Sequence, residues 1–281
     1  MSKNNNQSNN DIYILGTSGK VRRKRVPMIF AIIGGITVIA LLIGIYYIFR
    51  ARNDKNEEVP AIASIIVDNA NETEQSKGYI ERAEETINDV PLYIYQPFRA
   101  KMSLSLTKPE KNDSSVLFVA QAADVRADNG EIVGEFVLNG QILARGKTKS
   151  GFCAIINGEI FLGISTETDL LQKAIDTKGS FFRQYPLVKD GEIVINNIRN
   201  KSIRRALAIR NGNIIMVESR SNESFYDFSM ALVDIGVTQA IYLVGSTTHG
   251  WWVDKNHKLT EFGVESKEMP PNTSYIIWQK K

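Results

Sequence analysis

Residues 203–219 read IRRALAIRNGNIIMVES, two short apolar runs, RALAI and NIIMV, joined across Asn211-Gly212. Asn-Gly places two residues tolerant of positive φ side by side, as a type I′ turn requires, so the pattern predicts an antiparallel hairpin. Four similar turns punctuate the chain at Asp128-Asn129-Gly130, Asn139-Gly140, Asn157-Gly158 and Asp190-Gly191. Between them lie further runs that read as strands: LYIY, SLSL, SVLFVAQAA, IVGEFVL, FCAII, EIFLGI, YPLV, EIVI, AIYLV, GWWV and YIIW. Two helices interrupt this pattern, 168–177 ended by Gly179 and 223–235 ended by Gly236. Residues 79–88 also have helical spacing, stopped by Pro91. The expectation is an α+β domain over residues 80–281, with a mixed, mostly antiparallel sheet and a few packed helices.

Upstream of that domain, residues 28–49, MIFAIIGGITVIALLIGIYYIF, form an uncharged stretch of twenty-two residues. As a helix it is about 33 Å long, enough for a hydrocarbon core of about 30 Å. A cleaved signal peptide has a shorter apolar region followed by small residues at the cleavage site, whereas here Arg50-Ala51-Arg52 follows. Lys20, Arg22, Arg23, Lys24 and Arg25 crowd its N-terminal flank, while Arg50, Arg52 and Lys55 on the other side are interleaved with Asp54, Glu57 and Glu58. The Lys and Arg bias puts residues 1–27 in the cytoplasm as a basic tail. The expected organisation is a single-pass signal-anchor protein of the cell membrane: that tail, the transmembrane helix 28–49, a polar tether over 50–79, and the domain outside, periplasmic or extracellular. Within the tether only IASIIV is apolar.

The 281 residues carry a formal charge of +3, but residues 1–25 hold six Lys or Arg against Asp11, leaving the chain beyond the span at net −2. The basic balance thus belongs to the tail, and the domain offers no electrostatic case for nucleic acid. With Cys153 alone there is no intramolecular disulfide and no cysteine metal site; set in GFCAII, it reads as a small buried hydrophobe. His249 and His257 are the only histidines, and no metal-ligand spacing occurs. Walker, Rossmann, GxSxG and kinase signatures are absent, so no motif specifies a cofactor.

Chemistry is best sought where the second helix feeds a strand that ends in a small polar loop, FYDFSMALVDIGVTQAIYLVGSTTHGWW. Ser246, Thr247 and Thr248 offer hydroxyls to a sugar or phosphate, although a polar turn favours the same residues. Imidazole as a group titrates near neutrality, which makes His249 a candidate acid or base; its plainer role is a loop histidine bonded to a carbonyl. One of Trp251 and Trp252 packs inward, since neighbours on a strand face opposite ways, and the other is free to stack on a sugar. On those terms Trp251 is the candidate platform.

The order of five blocks resembles the phosphodiester glycosidase family, relatives of the mannose 6-phosphate uncovering enzyme. They are SVLFVAQAADVRADNGEIVGEFVLNGQIL, FCAIINGEIFLG, FFRQYPLVKDGEI, IRRALAIRNGNIIMVES and the helix–strand–loop just described. Over residues 115–253, Arg183 or Gln184 with Pro186, Leu187 and Gly191 is similar to the family's Gln-Pro-Leu-Gly turn. Arg204 is similar to its arginine, and Leu243, Gly245 and Ser246 to its Leu-Asp-Gly-Ser. Val244 stands where the family has aspartate, Gln121-Ala122-Ala123 where it has Asn-Ala-Gly, and Ala208 where a glycine follows the arginine. Asn157-Gly158 with Phe161 supplies an asparagine from another strand.

The resemblance implies a catalytic set of Arg204, His249 and Ser246, with Gln184, Asn157, Thr247, Thr248 and Trp251 on the substrate and no metal ligands. It also implies a carbohydrate or sugar-phosphate ligand. Glycoside cleavage needs a proton donor and a carboxylate near the anomeric carbon, and valine serves as neither. The expected function is therefore a phosphodiester glycosidase-like protein with a degenerate site, or alternatively a non-catalytic glycan-binding or envelope scaffold module. Asp124, Asp227 and Asp254 are the carboxylates able to stand in for the missing aspartate.

Overall fold

A computed structural model describes residues 43, 61–63, 78–146 and 149–281. The expected basic tail, the membrane span and most of the tether lie outside these residues, and among the described residues no helix is long and apolar enough to cross a membrane. The chain divides into a unit Met1–Glu57, of which only Ile43 is described, and a unit Glu58–Lys281.

The second unit is mostly β, which corrects the α+β expectation with packed helices: 49% of the described residues are in strands and 9% in helices. Three sheets carry it. The first runs β1 (Ala61–Ala63), β9 (Glu159–Ile164), β8 (Gly151–Ile156), β10 (Ser180–Gln184), β6 (Phe136–Leu138), β7 (Gln141–Ala144). The second runs β12 (Glu192–Ile193), β11 (Pro186–Lys189), β15 (Val237–Leu243), β13 (Arg205–Arg210), β14 (Asn213–Ser219), β3 (Val90–Phe98), β2 (Tyr79–Ile87). The third is β17 (Leu259–Phe262), β16 (Gly250–Val253), β5 (Val116–Gln121), β18 (Tyr275–Lys280), β4 (Ala100–Ser105). Every ladder between these strands is antiparallel. Ala61–Ala63, inside the expected tether, pairs with β9.

The Asn-Gly and Asp-Gly turns form as expected. Both central residues take positive φ at 139–140, 157–158, 190–191 and 211–212. Residues 79–88 are a correction: the expected helix is strand β2, paired with β3 over nine positions through a turn in which Asn88 and Asp89 have φ of 47° and 63°. β2 is polar on both faces, so its side chains carry little period of any kind, and the ladder to β3 decides its conformation.

Strand parity sorts the core. On β13, Leu207 and Ile209 face a central cluster shared by all three sheets, with Tyr95, Phe118, Phe136, Phe182, Trp252 and Trp278. Ala206 and Ala208 face the opposite way, where α2 (Phe225–Asp234) lays Phe228, Ala231 and Leu232 over the sheet. Small alanines there let the helix approach. α2 begins at Ser224, whose hydroxyl accepts from the Asp227 N–H at 3.0 Å, and is followed by Gly236 at φ 85°. α1 (Leu170–Asp176) covers the outer face of the first sheet through Leu170 and Ala174. Burying each large apolar side chain contributes about 1.5–3 kcal/mol, so the packed sheets, which α1 and α2 cover in part, supply most of the stability of the described domain.

Candidate functional site

The chain leaves β15 at the centre of the second sheet and turns at once. Gly245 is the residue this turn requires, because a Cβ there would meet the Ile203 carbonyl oxygen at 2.2 Å. Ser246 takes φ 56° and donates its N–H to the same carbonyl at 2.7 Å. On the far side Val264 N–H donates to Thr247 O at 2.8 Å. The loop is thereby pinned between β13 and the segment after β17. Beside it opens a cleft of 780 Å³ whose walls include Tyr93, Arg205, Glu218, Arg220, Ser246 and Thr247.

Arg205, not Arg204, is the arginine of that cleft. Arg204 shares the parity of Ala206 and Ala208 and so turns toward α2. Its Nε donates to Glu223 O at 2.8 Å, Nη2 to Asn200, and the guanidinium lies 4.4 Å from the Phe225 ring centroid. It fastens the start of the helix. Arg205 has the parity of Leu207; it donates through Nε to Glu218 and through Nη1 to Val244 O at 3.2 Å, Thr248 O at 2.9 Å and the Thr248 hydroxyl. The pair with Glu218 is buried, the side chains being 1% and 7% exposed. Arg220, on the rim, bridges to Glu84 at 3.1 Å, and the Tyr93 ring centroid lies 5.0 Å from its guanidinium and 4.2 Å from that of Arg82. The alternation of RALAI was the sequence signal that identifies Arg205.

Ser246 and Thr247 line the cleft. Thr248 works on the loop itself, its hydroxyl donating to Val244 O at 2.8 Å while it accepts from Arg205. His249 is held away from solvent, with Lys108 Nζ 2.6 Å from Nδ1 and Glu261 2.7 Å from Nε2. An ammonium only donates, so in this network Nδ1 is placed to accept from Lys108 and Nε2 to donate to Glu261. Both nitrogens are engaged. Trp251 is 1% exposed among Val116, Val119, Tyr275 and Ile277, while Trp252 enters the central core, so neither ring presents a face to a sugar.

Gln184 is fully buried; its side-chain oxygen accepts from Lys149 at 3.0 Å and the Tyr185 N–H at 3.0 Å, and its amide donates to Ala122 O at 3.3 Å. It ties β10 to the end of β5. Asn157 occupies the exposed β8–β9 turn and is not part of the cleft. Of the stand-in carboxylates, Asp227 accepts from the hydroxyl of the cap residue Ser224 at 2.8 Å, and Asp254 closes a turn onto the Asn256 and Lys258 N–H groups at 2.8 Å. Asp124 pairs with Lys149. Sequence reasoning passed over Lys149, which lies in the unpatterned run KTKS.

His249, Glu261 and Glu265 place ligand atoms within 4.8 Å of one another. Lys111 reaches both carboxylates at 2.9 Å and Lys108 reaches Glu265 at 3.2 Å, so the two lysines already neutralise the cluster. Hydrogen bonds from Lys111 and Lys108 hold the Glu265 carboxyl down to about 2, and His249 and then Lys111 lower that of Glu261. A divalent ion would have to displace both ammoniums. Cys153 is buried, and burial pushes its thiol up, away from reactivity.

A three-sheet, all-antiparallel β fold defines the class, and a solved structure resembles it in fold. The catalytic domain of zebrafish N-acetylglucosamine-1-phosphodiester alpha-N-acetylglucosaminidase, auto-inhibited by its pro-peptide, is 15% identical with a TM-score of 0.54, covering 78% of this chain and 87% of that one. A hypothetical protein from Synechocystis is 11% identical with a TM-score of 0.46, covering 72% and 62%. No protein-family model matches the sequence, and no curated protein matches it. The chain has a phosphodiester glycosidase-like fold.

Proposed function

We propose that this domain binds sugar-phosphate diesters or phosphate-linked envelope glycans in the cleft at the end of β15, and hydrolyses them slowly or not at all. The N-terminal apolar segment holds it to the membrane, with the domain outside. Val244 is the observation that carries this reading: at the end of the central strand, beside Arg205, stands a side chain that neither gives nor takes a proton. The remaining equipment favours binding. Arg220 on the rim carries a guanidinium suited to phosphate, Arg205 holds the loop from beneath through Val244 O and Thr248, and Ser246 and Thr247 line the cleft on a loop fixed by Gly245.

The test is turnover of a chromogenic sugar phosphodiester by the wild type and by Val244→Asp. An inert wild type and a variant that gains turnover support the reading; wild-type turnover indifferent to Arg205→Met contradicts it. The topology is tested separately: protease added outside intact cells should digest the domain and spare the tail, and protection of the domain would refute the orientation.

A further inference from the structure

At the end of the second sheet, four strands set one residue each in a single row across the face that carries the cleft. Arg205 of β13 lies opposite Glu218 of β14, Glu218 opposite Tyr93 of β3, and Tyr93 opposite Glu84 of β2. Residues directly opposed on antiparallel strands share a face, and strand alternation puts Arg82 and Thr86 on that face with Glu84. Arg205, Glu218, Tyr93 and Thr86 line the cleft. Glu84 stands between two of them, opposite Tyr93 and two residues before Thr86 on the same strand.

Each charge in this row has a partner. Arg205 and Glu218 pair with one another beneath the loop, with side chains 1% and 7% exposed. Glu84 bridges the other two arginines: its Oε1 accepts from Arg82 Nη2 at 3.0 Å, and its Oε2 pairs with Arg220 Nη1 at 3.1 Å. Both guanidiniums also lie against Tyr93, at 4.2 Å and 5.0 Å from the ring centroid. Arg220 lines the cleft itself, so a phosphate bound to it is the immediate neighbour of a carboxylate of the protein. A guanidinium has five N–H donors, and Glu84 engages only one nitrogen of Arg220.

The arrangement fixes the charge a ligand meets. Beyond Val264, Lys108 and Lys111 are matched by Glu261 and Glu265, and Arg205 is matched by Glu218. Arg82 and Arg220 alone would suit a dianion; with Glu84 between them they leave one positive charge, which suits a monoanion. Repulsion by Glu84 doubles for a doubly charged ligand, and the cost of withdrawing an ion from water rises as the square of its charge. A phosphodiester carries one negative charge, whereas a phosphomonoester, with a second pKa of about 6, carries nearly two above neutral pH.

Resting on the proposed function, we propose that Glu84 is the residue that makes the cleft choose sugar phosphodiesters over sugar phosphomonoesters. It acts through Arg82 and Arg220, by holding between them the negative charge that a dianion would otherwise supply.

The experiment is calorimetric titration of the full chain in detergent at pH 7.5 with glucosyl, N-acetylglucosaminyl and mannosyl methyl phosphodiesters, and with the 1-phosphate of whichever sugar binds best. The wild type should bind the diester more tightly than the monoester, and the gap should narrow at pH 5.5, where the monoester carries about one charge. Glu84→Gln keeps the size of the side chain and removes its charge; it should shift the ratio of affinities at least threefold toward the monoester at pH 7.5. Glu81→Gln removes the same charge from an exposed position on the opposite face of β2 and should leave the ratio unchanged. A wild type without preference, a gap that persists at pH 5.5, or a ratio that Glu84→Gln moves no more than Glu81→Gln overturns the assignment and leaves the proposed function standing. A wild type that binds no phosphodiester overturns the sugar-phosphate reading and this assignment together.

Discussion

Replacing Arg205 by methionine isolates the ion pair at the floor of the cleft. The change leaves the Glu218 carboxylate, 7% exposed, without its partner and strips donors from Val244 O and Thr248. Removing one member of a buried pair costs about 3–5 kcal/mol, set against a domain stability of roughly 5–15 kcal/mol. Replacing both members by apolar groups is close to neutral for the pair itself. Arg205→Met/Glu218→Met should then recover most of the loss, short of about 1–3 kcal/mol for carbonyls left unpaired. Urea unfolding of the unit Glu58–Lys281 reads this directly, because Trp251, Trp252 and Trp278 are all buried and their emission shifts on exposure. With a slope of roughly 2 kcal/mol per molar, the single variant loses about 1.5–2.5 M in midpoint. A single-variant loss under about 1 kcal/mol, or a double variant no better than the single, refutes the reasoning.

Gly245→Ala forces a Cβ against the Ile203 carbonyl, where 2.2 Å is available; it should cost about 1–3 kcal/mol and abolish ligand binding, and a variant that binds normally counts against the loop's role. Ser224→Ala removes the cap of α2 and should lower stability by about 1 kcal/mol, with Ser224→Asp restoring it in the same urea series. Glu265 has a carboxyl lowered to about 2 in the folded chain, against roughly 4.3 unfolded. Its contribution is present above the unfolded value and is lost as pH falls through the folded one. Carbon NMR should place its midpoint near 2 and show it rising in Lys111→Met; a wild-type midpoint above 4 contradicts the lysine bridge.

Much of the fold was legible where one residue type has one job. Asn139-Gly140, Asn157-Gly158, Asp190-Gly191 and Asn211-Gly212 adopt the positive φ that only such pairs take readily, and Gly236 ends α2. Misreading concentrated where the deciding partner is distant in sequence. β2 carries no clean period and owes its form to β3. The helical share was overestimated because residues 79–88 read as a helix, and the short strand Leu259–Phe262 leaves almost no pattern. At the site, the loop Ser246–Thr247 was legible from composition, whereas the choice between Arg204 and Arg205 depended on strand parity, which a one-residue shift inverts. Lys149 had no signal at all. Its importance comes from meeting Asp124 and Gln184 across 25 and 35 residues of chain.

The binding site of a sugar phosphodiester is the most direct point of test. Amide chemical-shift mapping of the unit Glu58–Lys281, titrated with the tightest-binding methyl phosphodiester, should perturb Arg205, Ser246, Thr247 and Gly263 together. Saturable shifts confined to those positions and to residues 82–86 of β2 are the predicted result. Saturable shifts elsewhere, or none at millimolar ligand, would contradict it.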